Sequence, residues 1–283
     1  MNEHRTTIYT PDSPLINPIK LGREMFRDLA DSQGLAWRLT VRDLSAQYRQ
    51  TFLGFLWAII LPLANTVVWI FLSRSGLVNV SDTGLPYPAY VFTGTMLWAI
   101  LMDALNAPLQ MVTASKGMLS KINFPREALV VAGIYQTLIN ALIKVALLLI
   151  GLGAIGIYPG WGICLFPIGL LSLIMVGTVI GLILTPVGLL YSDVGKGIPL
   201  LMQFLMYLTP VVFAMPKQGI SAILFRFNPL TPLILTARDW LTGLTPEFLG
   251  YFLAVNLVSV VLLFIFWIVF RLAMPVLIER MGS

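Results

Sequence analysis

With 283 residues, 58% of them apolar and only 11% charged, the chain falls far below the roughly 25% charged residues of an ordinary soluble domain, which excludes a water-soluble globular fold. Its net charge of +5 and pI of 9.4 do not point to nucleic acid, because surplus Lys and Arg in so apolar a chain mark cytoplasmic loops. The lone cysteine, Cys164, excludes an internal disulfide and a thiolate metal cluster.

Residues 1–30 are mostly polar and lack the basic start and short apolar core of a cleavable signal, so they read as an N-terminal cytoplasmic tail with no assigned role. Residues 31–51 read as an amphipathic interface helix. Trp37, Val41, Leu44 and Tyr48 recur at steps of four, three and four, and Arg38, Arg42 and Arg49 form the adjacent stripe. Such a helix suits the cytoplasmic headgroup layer; a helix packed on protein would show the same pattern.

Residues 52–271 read as a permease domain of six transmembrane helices. No charge falls between Arg49 and Arg74, between Lys144 and Asp193, or between Glu247 and Arg271, and a bilayer core of roughly 30 Å needs about 20 apolar helical residues. The expected spans are 52–72, 89–112, 128–157, 161–191, 198–215 and 249–270, with Asp103 and Lys144 inside the second and third and Tyr158-Pro159-Gly160 dividing the third from the fourth. Residues 272–283 form a cytoplasmic C-terminal tail. Thirteen Lys and Arg fall on the side of both termini and four on the other, so the positive-inside rule puts both termini in the cytoplasm.

Two connecting segments are more than plain loops. Residues 113–127 combine apolar Met118, Leu119, Ile122 and Phe124 with Lys116, Lys121 and Arg126, and Pro125 stops any helix before the third span. This is a short cytoplasmic helix, either docking a soluble partner or only setting topology. Residues 216–248 hold two apolar stretches too short to cross, 220–225 and 230–235, divided by Pro229, Pro232 and Pro246. Two outer re-entrant helices fit, provided protein or water shields their backbone.

Chemistry of its own is sparse. There is no G-x-x-x-x-G-K-[ST] phosphate loop, and the one histidine, His4, lies in the tail. No His, Cys and carboxylate cluster suggests a metal, so an embedded enzyme fits poorly. An ion-coupled carrier would rest on Asp103 and Lys144 alone, two charges of opposite sign able to pair with each other. Aromatic residues Trp57, Tyr87, Tyr90, Trp98, Phe204, Tyr207 and Phe213 suit an interfacial belt or core, and equally a watery conduit whose faces stack on sugar rings.

Six segments in order carry a resemblance: 42–57 (RDLSAQYRQTFLGFLW), 87–90 (YPAY) with Gly94 and Trp98, 121–126 (KINFPR), 191–194 (YSDV), 208–213 (LTPVVF) and 228–232 (NPLTP). Together they cover about residues 30–245 and resemble the Wzm-like type-2 ABC permeases that export O-antigen, capsule and teichoic-acid polysaccharides. The resemblance implies a bacterial inner-membrane half-transporter of six spans. Two copies form the conduit, and a separate nucleotide-binding subunit carries ATP and Mg. It implies a coupling role for 113–127, a gate or interface role for 35–50 and an exit position for 216–248. The substrate would be a glycan on a polyprenyl diphosphate, whose phosphates Arg38, Arg42 and Arg49 could meet as readily as lipid headgroups. A related permease for a drug or lipid would share this architecture.

Overall fold

The computed structural model describes residues 18–49, 56–76, 83–119, 121, 124–216 and 218–282, which are helical with no strand among them. In chain order the helices are α1 (Pro18–Asp31), α2 (Gln33–Arg49), α3 (Trp57–Arg74), α4 (Tyr87–Ala114), α5 (Lys116–Leu119), α6 (Glu127–Ile155), α7 (Phe166–Leu190), α8 (Ser192–Tyr207), α9 (Ile220–Phe227), α10 (Leu230–Thr242) and α11 (Leu249–Gly282), with a 3-10 turn at Trp161–Cys164.

Proline and glycine set the boundaries where the sequence places them. Pro88 sits in the first turn of α4, where its missing N–H costs nothing. Gly156 closes α6 and Gly243 closes α10 in the left-handed conformation, at φ of 84° and 78°. Two boundaries differ from expectation. The fifth helix runs 192–207 rather than 198–215, because Pro210 lacks an N–H and disfavours helical geometry at Thr209 before it. α11 continues unbroken past residue 271 to Gly282, with Pro275 inside it. α1 occupies part of the stretch read as a tail.

α4, α6, α7 and α11 are each long and apolar enough to cross a membrane, and α9 with α10, bent by 79°, pass the same test only when joined. α3 and α8, with 18 and 16 residues, measure about 27 and 24 Å at 1.5 Å per residue, short of the roughly 30 Å core. Length and composition thus give four to five spans among the described residues, where six were expected.

α4 and α7 are the central, mostly buried pair, with α6 and α11 flanking them. Without a hydrophobic drive between helices in lipid, close approach depends on small residues. Gly177 and Gly181 of α7 form a G-x-x-x-G face on α4. A Cβ at Gly177 would lie 2.6 Å from the Ala104 Cβ, and one at Gly181 would lie 2.4 Å from the Leu105 carbonyl oxygen. The hydroxyls of Thr66 and Thr95, 3.4 Å apart, join α3 to α4.

Each end of the bundle has its own core. At one end Ala36 and Leu39 of α2, Met111 and Val112 of α4, Leu119 of α5, Ala128–Ala132 of α6, and Phe270, Met274 and Leu277 of α11 pack together. At the other, Phe92 and Met96 of α4 meet Leu148 and Leu152 of α6, Val211 and Val212, Leu233 and Trp240 of α10, and Phe252 of α11. The N-terminal helices, α5 and the C-terminal end of α11 therefore share one end, and α10 occupies the opposite one. Ala at Gly181 is expected to lower stability by about 1–3 kcal/mol through overpacking. The check is thermal unfolding of detergent-solubilised protein, with Ala at half-buried Gly153, where a Cβ meets nothing, as the matched control.

Candidate functional site

The end carrying α5 presents a short, anchored, basic segment. Ser115 closes α4 by donating its backbone N–H to Met111 and Val112, and the chain turns directly into α5. Leu119 is buried, and Met118 and Phe124 pack half-buried against the core of that end, while Lys116 and Lys121 are exposed and Arg126 is half-exposed. Ile122 lies outside the described residues. The apolar residues thus hold the segment to α2, α4 and α11, and the ammonium groups face outward.

α2 lies against α6. Ala36, Leu39 and Thr40 are its inward face, and the Thr40 hydroxyl donates at 2.9 Å to Ala36 of its own helix and at 3.2 Å to the Ala132 carbonyl of α6. The stripe that periodicity singles out faces away: Trp37 and Val41 are 53% and 45% exposed, with Trp37 edge-on to Tyr135. The side chains of Tyr48 and Arg49 lie outside what is described; Arg38 and Arg42 are exposed. Arg42 is paired with Asp43 at 2.6 Å and also reaches the Ser115 hydroxyl at 3.3 Å, which ties α2 to the α4–α5 corner. Arg271 of α11 pairs with Glu127 of α6 and Asp28 of α1, both at 2.6 Å, so α1 is fastened to the same end.

At the opposite end, three of the six sequence segments, 87–90 with Gly94, 208–213 and 228–232, converge on one polar node. The backbone is broken at 208–216, between α8 and α9. Arg238 of α10, 1% exposed, points into this break. Its Nη2 donates to the Val211 carbonyl at 3.0 Å and its Nε to the Thr93 hydroxyl at 3.2 Å. Its guanidinium also lies 3.7 Å from the centre of the Tyr90 ring. No carboxylate pairs with it among the described residues, so the ring face and the two oxygens must offset much of its desolvation. Tyr90 in turn donates its hydroxyl to the carbonyls of Pro210 and Phe213, each at 3.0 Å. Asn228 donates to the Leu208 carbonyl at 3.0 Å and the Thr209 hydroxyl at 2.8 Å, while its own carbonyl accepts the Leu230 N–H at the start of α10. Gly94 leaves the gap that Arg238 and Val211 fill: a Cβ there would lie 2.1 Å from the Val211 oxygen and 2.4 Å from Nη2.

No family model matches the chain. The O-antigen export system permease protein RfbA of Myxococcus xanthus is 24% identical over 214 residues, covering 74% of this chain and 81% of that protein. An RfbA permease of Klebsiella pneumoniae is 26% identical over 208 residues, 71% of this chain and 77% of its own. The polysialic acid transport protein KpsM of Escherichia coli is 22% identical over 205 residues, 71% and 78%. Over about 70% of its length the chain is thus similar to permeases of polysaccharide export.

The seven aromatic residues do not share one surface. Tyr90 and Trp98 are in the core, 4% and 6% exposed, Tyr90 as the seat of Arg238. Tyr87 is half-buried with its hydroxyl unpartnered among the described residues. Trp57, Phe204 and Tyr207 are exposed, and half-buried Phe213 stacks edge-on to Trp69, which also meets Tyr207. Asp103 of α4 and Lys144 of α6 form an ion pair, the arrangement their shared depth allows. Sequence reasoning counted Arg238 as a loop charge and took Asn228 only as part of the 228–232 segment, with no structural role. The available signal was an arginine, flanked by Asp239, directly after the mostly apolar stretch 230–237.

Gly94→Ala is expected to push Val211 or Arg238 out of place and lower stability by about 1–3 kcal/mol. Tyr90→Phe, which keeps the ring but loses the hydroxyl, is expected to cost about 1 kcal/mol. Thermal unfolding of the purified permease checks both, and an unchanged melting temperature for Gly94→Ala would contradict the packing described.

Proposed function

We propose that this chain is the permease half of an ATP-driven exporter that moves a lipid-linked cell-surface polysaccharide across the bacterial inner membrane. The observation that carries the reading is the extent of the likeness. The named O-antigen and polysialic acid transport proteins match over more than three quarters of their own length, well beyond any single motif. In this reading α3, α4, α6, α7, α8 and α11 are six spans. Two copies enclose the conduit. The end holding α1, α2, α5 and the C-terminus is cytoplasmic, in keeping with the excess of Lys and Arg there. α9 and α10 are the outer re-entrant pair.

A glycan is too hydrophilic to cross hydrocarbon unaided, and directional export needs an energy source. The chain carries no phosphate-loop motif, so a separate subunit supplies ATP and Mg. Residues 113–127 receive that subunit. Lys116 and Lys121 face outward for ionic contact, while Met118, Leu119 and Phe124 pass the push into the core shared with α2 and α11. The exposed Trp37 and Val41 rest in the headgroup layer, with Arg38 and Arg42 beside them for lipid phosphate or the carrier's diphosphate.

The test is complex formation and export in cells. The wild-type chain is expected to copurify with a phosphate-loop ATPase, and its deletion to leave the cell surface undecorated with polymer held inside. Lys116→Glu combined with Lys121→Glu is expected to weaken the complex about tenfold through charge reversal at the contact. An undiminished surface glycan with altered drug tolerance would instead favour a permease for another cargo.

A further inference from the structure

A polar recess interrupts the apolar bundle between α2, α4 and α6. It is lined by Gln47, Asp103, Asn106, Gln110, Gln136 and Asn140. On α4 the polar positions follow steps of three and four, and on α6 Gln136, Asn140 and Lys144 follow steps of four, so each helix turns one hydrophilic stripe to the gap. Asp103 lies eleven residues from the C-terminal end of α4, about 16 Å along the axis of a helix long enough to cross a membrane. The recess measures about 170 Å³, well above the roughly 10–15 Å³ that admits one water.

Polar side chains at such depth ordinarily bind neighbouring helices together. Here they are largely unspent. Asn106 donates back to Met102 of its own helix, Asn140 makes no hydrogen bond among the described residues, and only Gln136 with Gln47, at 3.2 Å, joins two helices by an amide pair. The charge is also settled. Lys144, 7% exposed, gives its ammonium to Asp103 and reaches the Ala99 carbonyl at 3.4 Å, which leaves no free cation in the recess for an anion. What is left is a wall of neutral amide donors and acceptors, with one carboxylate edge, at a depth where nothing else needs them.

We propose that this recess is a binding site for neutral, hydroxyl-rich sugar units, part of the wall along which the glycan passes. The proposal rests on the export reading given above and adds a location to it. Asn106 and Asn140 exchange hydrogen bonds between water and sugar hydroxyls as each unit moves by. The Asp103–Lys144 pair fixes the spacing of α4 and α6 behind them.

The test uses cells that lack their own copy of this gene, carry the full chain on a plasmid and keep the native ATPase subunit. Asn106→Leu with Asn140→Leu is expected to reduce surface polysaccharide about tenfold at equal permease level in the membrane, as loss of roughly one net hydrogen bond at each position implies. Asn106→Ser with Asn140→Ser, which keeps hydroxyls in the recess, is expected to stay within about twofold of wild type. Export by the Leu pair equal to wild type overturns the proposal. Should the Leu pair fail to reach the membrane, Asn140→Cys in a Cys164→Ser background decides. Alkylation by N-ethylmaleimide is expected to slow about fivefold when glycan is stalled by an inactive ATPase subunit, compared with cells making no glycan. Equal labelling overturns it. If deleting the gene leaves surface polysaccharide intact, the export reading fails and takes the proposal with it. If wild type and Leu pair restore export equally, only the proposal fails.

Discussion

Backbone that leaves helical geometry within a membrane protein must find its hydrogen bonds in protein or in trapped water. The break at 208–216 is where this chain meets that constraint, and Arg238 with Tyr90 and Asn228 is how it does so. The carbonyls of Leu208, Pro210, Val211 and Phe213, freed by the helix ending before Pro210, accept from these three side chains. The arrangement accounts for residues that otherwise look unrelated. Gly94 is small because Val211 and the guanidinium occupy its side-chain space, and Thr93 stands next to it as an acceptor. It also explains how a cation can be 1% exposed without a carboxylate, seated on an aromatic face and two oxygens.

From that node the two rigid central helices lead to the other end. α4 carries Tyr90, Thr93 and Gly94 near its start and turns into α5 at its finish, so one continuous helix connects the break to the basic segment. The G-x-x-x-G face of α7 holds it closely along the way. α2 and α1 are joined to the same end by Arg42 to Ser115 and by Arg271 to Asp28 and Glu127.

Much of this was legible in the sequence. Charge-free runs, Pro and Gly located α4, α6, α7 and the start of α11, because burial in lipid leaves a strong compositional trace. The division of 216–248 into two short helices followed from Pro229 and the short apolar stretches. Less was readable where tertiary contacts decide. The apolar stripe of α2 is real, but Ala36, Leu39 and Thr40 form its packed face, since small and hydroxyl residues suit close approach to α6 better than Trp37 does. Tyr90 and Trp98 carry the same aromatic signal as Phe204, yet they lie in the core, and periodicity does not distinguish a ring that seats a cation from one that faces lipid. The role of Arg238 depended on a partner 27 residues away and another 145 away, and the polar stripes of α4 and α6 gain meaning only when the two helices are seen side by side.

Export as proposed needs the chain as passage and another polypeptide as energy source. The most direct measurement is transport into proteoliposomes containing the purified chain, with and without the copurified ATPase subunit, using polyprenyl-diphosphate-linked glycan as cargo and lectin protection of the lumenal sugar as readout. The account predicts glycan reaching the far side only when both the subunit and ATP with Mg are present. Equal translocation by the chain alone, without nucleotide, would contradict it.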